Sequence, residues 1–290
     1  MGVTKRFSDF LSNITLTDDQ LKAGRERRES VIQALNENYY GSKSKTDQSK
    51  FIGSWGKFTR VRPPRDVDVL FELPKAAYDR FQQRNGNKQS QLLQEVRSVL
   101  GKTFYSTTIK GDGPVVMVDF STYNVEIVPA FLLTSGQYWI CMTDDGGRYK
   151  TADYDAEISN IAASNDKTSN TRDLVRMAKA WQSYCSVPLK SFHLELVAVD
   201  FLNQWEHAGK GKEYYDWMMR DFFGYLANRK NSHVYAPGTY EAMYLGESWV
   251  SRAETARDRA TKACGFETTD ALSAGDEWQK IFGTDVPRDA

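Results

Sequence analysis

The sequence has no excess of charge of either sign. Lys and Arg together number 38, as do Asp and Glu, so the formal net charge is zero and the pI is about 6.8. No overall field draws the chain toward nucleic acid or anionic lipid, and any anionic ligand must be held by local groups. Cysteine and histidine are scarce. Cys141, Cys185 and Cys264 lie far apart without a Cys-x-x-Cys, and His193, His207 and His233 are equally scattered. Neither a disulfide framework nor a zinc site is expected from such spacing. No apolar run approaches the ~18 residues of a membrane span; the longest, such as Val115 to Val118, are strand-sized. Met1 to Arg6 lacks the apolar core of a signal peptide, and Arg6 stands where a myristoylation motif needs Ser or Thr. A cytoplasmic address without a membrane partner is therefore expected. With 20 Gly and 8 Pro in 290 residues and 40% hydrophobic residues, collagen-like, low-complexity and disordered classes are excluded.

What remains is a globular chain long enough for two domains at roughly 100–200 residues each. No internal repeat is present, but the pattern changes near residue 150, dividing the chain into 1–150 and 151–290. A helix is expected over Leu21 to Asn38, entered from Thr17-Asp18-Asp19. The rest of the first half carries β-type runs at Val67 to Phe71, Val115 to Phe120, Val125 to Phe131 and Tyr138 to Met142. Ser121 to Asn124 reads as the turn between the middle two, and Ser90 to Leu100 as a helix between strands. The class is α+β, a sheet with helices on one face. From Arg172 the period becomes 3.6, as in Leu174, Val175, Ala178 and Trp181, then Leu194, Val197, Phe201 and Leu202. Further helices are expected over Glu213 to Leu226, Glu247 to Ala263 and Thr268 to Phe282, making the second half a helical domain.

The chemistry concentrates in Phe51-Ile52-Gly53-Ser54-Trp55-Gly56-Lys57 and Asp66-Val67-Asp68-Val69-Leu70. Gly53 and Ser54 leading into a short helix offer backbone N–H groups and a hydroxyl to a phosphate. Asp66 and Asp68, at i and i+2 on a strand, project from one face while Val67, Val69 and Phe71 face the core. Two adjacent acids repel unless a cation joins them, and hard oxygen donors suit Mg²⁺ with substrate phosphates. Glu126, flanked by apolar β-formers, supplies a third acid, or else it is an outward-facing strand residue. Asp153, Asp155 and Glu157 repeat the acidic spacing without a β frame and read as solvated.

These residues carry a family resemblance. Gly53-Ser54, Asp66-x-Asp68 and a later acid before Val128-Pro129-Ala130 resemble the nucleotidyltransferase fold of the DNA polymerase β superfamily. Within it the chain is similar to the branch of oligoadenylate synthase, cyclic GMP-AMP synthase and the bacterial CD-NTases. Leu174 to Trp181 and Lys190 to Glu195 look like the two helical segments that follow the catalytic sheet in CD-NTases, and Glu277 to Gly283 with Val286-Pro287 resembles the ending of many bacterial members. The resemblance implies a polymerase β-like sheet domain plus a C-terminal helical domain, the two-lobe architecture of oligoadenylate synthase. It implies two Mg²⁺ ions, with Mn²⁺ as the substitute, held by the catalytic acids Asp66, Asp68 and Glu126. Gly53 and Ser54 would contact the donor triphosphate, and Lys179 and Ser191 would reach it from the second domain. The third acid of the family is usually Asp, so Glu126, one methylene longer, is a departure.

The implied activity is condensation of nucleoside triphosphates into a cyclic di- or trinucleotide, with pyrophosphate released. In bacteria this serves antiphage (CBASS) signalling through a downstream cyclic-nucleotide effector protein. Linear oligonucleotide synthesis, nucleotide transfer to RNA or protein, and non-catalytic nucleotide binding remain open. The zinc insertion of animal cyclic GMP-AMP synthase is absent, and with zero net charge no double-stranded nucleic acid activator is expected. Outside the resemblance, plainer readings stand beside several residues. Lys179 is a surface lysine snorkelling beside an apolar stripe, Ser191 a cap for a helix starting near Phe192, and Lys57, Arg60, Arg62 and Arg65 a mostly solvated basic run. His193 is a packing residue, and Tyr214, Tyr215, Trp217, Phe222, Phe223 and Tyr225 pack a core rather than stack on bases.

Overall fold

Thr17 opens the long helix of the first half by a capping box. Its hydroxyl accepts from the Gln20 N–H while the Gln20 side chain accepts from the Thr17 N–H, as an N-cap Thr with Gln three residues on favours. The computed structural model describes residues 2–121 and 123–289, so Thr122 of the expected 121–124 turn lies outside the described residues. In chain order the first elements are α1 (Gly2–Ile14), α2 (Asp18–Tyr40), β1 (Ser49–Phe51), α3 (Gly53–Lys57), β2 (Asp66–Glu72), α4 (Lys75–Gln82) and α5 (Lys88–Thr103). They are followed by β3 (Thr108–Asp112), β4 (Val115–Asp119), β5 (Asn124–Leu132), β6 (Tyr138–Met142), β7 (Arg148–Ala152), α6 (Tyr154–Thr168), α7 (Thr171–Tyr184) and α8 (Ser191–Leu202). The chain ends with α9 (Tyr215–Ala227), the hairpin strands β8 (His233–Tyr235) and β9 (Ala242–Tyr244), α10 (Val250–Phe266) and α11 (Ala271–Phe282). No helix among the described residues is long and apolar enough to cross a membrane, and the three cysteines are free.

The fold is α+β, but its compact units are not the two sequence halves. The sheet unit comprises Leu16–Phe58 and Pro64–Ile158. The helical unit takes in the described residues of Met1–Thr15, Thr59–Pro63 and Ser159–Ala290. The expected division at 150 therefore shifts to 158, and two earlier pieces leave the first half. One is α1, which has no counterpart among the expected helices; the other is the segment between α3 and β2.

Within the sheet unit, seven strands among the described residues run in the order β1-β2-β5-β4-β3, with β6 also on β5 and β7 on β6. β5 serves both β4 and β6 along one edge: Val125 and Ile127 pair with Val118 and Val116, and Ala130 and Leu132 with Ile140 and Tyr138. Its other edge pairs in parallel with β2. One face is closed by apolar residues of α2, α4 and α5, where Val31, Ile32, Leu35, Phe81, Leu92 and Val96 cover Val67, Val69, Val125 and Ile127. The opposite face carries a smaller apolar cluster of Ile52, Leu70, Val128, Ala130, Tyr138 and Ile140. It gives way to acids toward the start of β2 and β5.

The helical unit has its own core around the fully buried Trp181, Trp249 and Trp278, to which α1 contributes Phe7, Phe10, Leu11 and Ile14. Of the aromatic run, Tyr215, Phe222 and Phe223 are core residues as expected, while Trp217 is 41% exposed. Of the buried carboxylates described in this unit, Asp216 and Glu267 each have one oxygen without a hydrogen-bond partner, Asp216 Oδ1 and Glu267 Oε2. Glu267 Oε1 accepts from Arg6 Nε (3.0 Å) and Trp278 Nε1 (2.8 Å). Burial, opposed by the Trp217 N–H and reinforced by Glu267, pushes the Asp216 carboxyl up to about 6.

The folded state thus binds a proton that the unfolded chain releases nearer pH 4, and this group's contribution to stability falls as pH rises between those values. Asp216→Asn removes the dependence. Relative to wild type, the variant should gain on the order of 2–3 kcal/mol between pH 4 and pH 7, read by urea denaturation at the two pH values. A constant difference across that range would refute the assignment.

Candidate active site

β2 and β5 set the three sequence-identified acids on one face of the sheet. In their parallel register Asp66 lies opposite Asn124 and Asp68 opposite Glu126. Side chains alternate along each strand, with Val67 buried between Asp66 and Asp68, Val69 buried after Asp68, and Val125 and Ile127 flanking Glu126. Asp66, Asp68, Asn124 and Glu126 therefore share one face, on strands about 4.8 Å apart. Asn124 Nδ2 donates to Asp66 Oδ1 at 3.1 Å. Among the described residues, no three or more His, Cys, Asp or Glu side chains are drawn together so as to hold a metal ion. The acids share face and register without being closed into a cluster. Sequence reasoning missed Tyr154, at the start of α6, whose phenol is held protonated by burial and by the charges of Glu157 and Asp68. Nothing in the local pattern around residue 154 signals that proximity.

α3 is built onto the same strand. Ile52 N donates to Asp68 O at 3.0 Å, and the Trp55 indole N–H donates to Asp66 O at 3.1 Å. Trp55 is buried, stacked on Phe51 and edge-on to Tyr123. Gly53 has φ +52°, and a Cβ there would collide with the Asp68 carboxylate, so both backbone and space require glycine. Ser54 follows in the first turn of a five-residue helix, where backbone N–H groups lack intrahelical acceptors.

Of the charges expected to be solvated, Asp155 and Arg65 are exposed while Lys57 is not. Lys57 is 4% exposed and pairs with Glu157 at 2.9 Å. Asp155 binds Lys50 at 2.7 Å, and Asp153 accepts from the Ala156 N–H at the start of α6. The acidic run is thus the entry to a helix tied to the sheet unit, not a loose polar stretch. Arg62 is also engaged, donating to Thr15 O at 2.7 Å.

Lys179 and Ser191 lie in the helical unit. Lys179 is no snorkelling surface residue: it is 8% exposed, its ammonium 2.6 Å from Glu195 Oε1 and 3.0 Å from Thr59 Oγ1. Ser191 is not the cap of its helix. The N-cap is Lys190, and the Ser191 hydroxyl donates to Gln182 Oε1 at 2.8 Å. His193 is buried, and burial together with the Lys190 charge lowers its pKa, which fits a neutral packing residue.

The model of the Second Messenger Oligonucleotide or Dinucleotide Synthetase (SMODS) domain matches residues 1–165, a span that includes the whole sheet unit with Asp66, Asp68 and Glu126. The chain belongs to this family. This SMODS chain is 24% identical over 273 residues to a probable cyclic nucleotide synthase of Bacillus cereus, covering 81% of each protein. It is 29% identical over 183 residues to the CBASS oligonucleotide cyclase CdnC of Escherichia coli, covering 60% of this chain and 56% of that one. Its fold is similar to that of E. coli CdnC solved with ATP (TM-score 0.73, 20% identity, 99% of both chains). The Vibrio cholerae DncV apo form also matches (TM-score 0.75, 14% identity, 99% of this chain and 96% of that one). The SMODS chain is accordingly a nucleotidyltransferase of the CD-NTase family with the polymerase β-like architecture.

The fit of α3 against Asp68 is testable. Gly53→Ala should cost about 1–3 kcal/mol in urea denaturation, from the left-handed backbone and the displaced carboxylate. Gly101→Ala, in α5 with open space around it, should be neutral or stabilising by up to about 1 kcal/mol. Equal effects of the two substitutions would contradict the account.

Proposed function

We propose that this SMODS chain condenses nucleoside triphosphates into a cyclic di- or trinucleotide second messenger in bacterial antiphage (CBASS) signalling. The observation that carries the reading is the parallel register that sets Asp68 opposite Glu126, on the face shared with Asp66 and directly beside Gly53. A ribose hydroxyl of one nucleotide attacks the α-phosphorus of a triphosphate. A phosphodiester forms, the bond to the β-phosphate oxygen breaks, pyrophosphate leaves and the hydroxyl proton is lost. Repetition within the linear product closes the ring.

The donor set suits magnesium. Asp66, Asp68 and Glu126 offer only hard carboxylate oxygens, with no sulfur or imidazole among them. When bound, magnesium lowers the pKa of the attacking hydroxyl and offsets charge on the departing phosphates. Asp66 and Asp68 would hold it from one strand and Glu126 from the next, while the Asn124 amide orients Asp66. Glu126 does the work of the family's usual Asp, its extra methylene lengthening the reach from a fixed strand position. Gly53 and Ser54 receive the donor's terminal phosphates through backbone N–H groups and the hydroxyl. Lys179 and Ser191 remain candidate triphosphate contacts, each holding an intramolecular partner that it would exchange for phosphate.

Two neighbours support triphosphates as substrates and a stepwise course. E. coli CdnC is solved with ATP, and V. cholerae DncV in complex with the linear intermediate 5′ pppA(3′,5′)pG. The product is expected to act on a cyclic-nucleotide effector protein, with no double-stranded nucleic acid required for synthesis.

Incubation with labelled triphosphates and Mg²⁺ should yield a phosphatase-resistant product together with pyrophosphate. Asp68→Asn should lower kcat at least about a thousandfold while melting as wild type. A phosphatase-sensitive product would move the reading to linear oligonucleotide synthesis. Full activity in Asp68→Asn would overturn the assigned metal site.

A further inference from the structure

The helical unit encloses a cavity of about 100 Å³ between the C-terminal end of α7 and helices α10 and α11. Trp181 and Cys185 line it from the α7 side and Lys280 and Ile281 from α11. α10 supplies Arg252, Ala256 and Arg259, which their spacing of four and three residues sets on one helix face. Trp181 is fully buried, and its indole N–H has no hydrogen-bond partner among the described residues. A buried indole N–H normally finds an acceptor. The cavity is the space beside this ring in which an acceptor can sit.

The charges around the cavity are equally unspent. Arg252 Nε donates to Cys185 O at 3.1 Å, and its two η nitrogens donate to no group among the described residues. Arg259 makes no hydrogen bond there either; its Nη1 lies 3.6 Å from Glu277 Oε2. Glu277 also pairs with Lys280 at 2.5 Å. The three cations lining the cavity thus share one carboxylate. Burial raises the pKa of the Cys185 thiol, while the charges of Arg252 and Arg259 draw it back, so both guanidinium fields reach the cavity wall.

We propose that this cavity binds a small organic carboxylate, whose oxygens take the Trp181 N–H and the Arg252 guanidinium while its hydrocarbon part lies against Ala256 and Ile281. A water molecule would satisfy the indole but not the excess positive charge. Phosphate suits the walls less well. Its oxygens call for a dense set of donors, whereas between the cations the lining is largely hydrocarbon with a single indole N–H. A carboxylate matches the guanidinium fork with two oxygens and brings an apolar body. Size follows from volume: a cavity of about 150 Å³ holds a benzene ring, so this one suits an aliphatic acid of about two to four carbons. None of the residues assigned to the nucleotide takes part, so the site stands independently of the reaction proposed above.

Propionate is the probe, titrated into the full chain at an ionic strength held constant with sodium chloride. In ¹H–¹⁵N spectra the indole resonance absent from Trp181→Phe belongs to Trp181, and sequential assignment identifies it if that variant fails to fold. Propionate should shift this resonance saturably, with a Kd of about 1–10 mM, and leave the other six indoles in place. Arg252→Gln should weaken binding about tenfold with the melting temperature unchanged. Sodium phosphate at the same ionic strength should leave the Trp181 resonance where it is. No shift with propionate would mean that water alone fills the cavity. A shift reproduced by phosphate or chloride would mark an adventitious ion only. Either result, or wild-type affinity in Arg252→Gln, overturns the proposal.

Discussion

The parallel pairing of β2 with β5 is the constraint on which the acidic face depends. A slip of one residue would turn Glu126 toward α2 and α5 and send Val125 and Ile127 to the polar side, because side chains alternate strictly along a strand. What prevents the slip is the buried side of the sheet. Val67, Val69, Phe71, Val125 and Ile127 are all inaccessible to solvent, and each contributes about 1.5–3 kcal/mol by that burial. Against this, two carboxylates about 5 Å apart repel by at most about 3 kcal/mol at an effective dielectric constant of about 20. The apolar face outweighs that repulsion several times over, so the register is set by the core and not by the acids.

α3 extends the same dependence to the phosphate side. Its start is fixed by a hydrogen bond from Ile52 to Asp68, and its indole by one to Asp66, which ties the glycine–serine turn to the strand that carries both aspartates. Gly53 is needed because α3 approaches so near the strand that no side chain fits between its backbone and Asp68.

The readable parts of the sequence were those whose physics is local. The alternation in Asp66 to Phe71 and Val125 to Phe131, the Thr17 cap and the 3.6 period from Leu174 all reappear in the structure. The Gly-Ser and acid spacing picked out residues that the register sets on one face of the sheet, with Gly53 against Asp68. α1 was legible in principle, since Phe7, Phe10, Leu11 and Ile14 follow helical spacing; the polar residues between them concealed it. β1, β3 and β7 were missed because edge strands carrying Lys, Gly and Arg lack the apolar runs of central ones. The charges misread as solvated share another cause. Lys57 meets Glu157, and Lys179 meets Thr59 120 residues away, and no local pattern encodes which distant partner removes a charge from water.

The boundary near residue 150 was misplaced for a related reason. A change of hydrophobic period marks where helices replace strands, whereas a compact unit is defined by which residues pack together. α1 is helical and amphipathic, so its apolar stripe needs a helical core, and it finds one formed by residues more than 150 positions later. Thr59–Pro63 carries Val61 and the backbone of Thr59 and Arg62, and their partners belong to that same unit. The sheet unit is consequently two chain segments joined through residues of the other unit. An excised 1–150 fragment would leave α1 without its core and Thr59 without its ion pair. It would also lose the start of α6, where Glu157 neutralises the buried Lys57. Each loss exposes apolar surface or strands a polar group whose partner is gone, so the sheet as a folded object depends on residues that its own pattern cannot reveal.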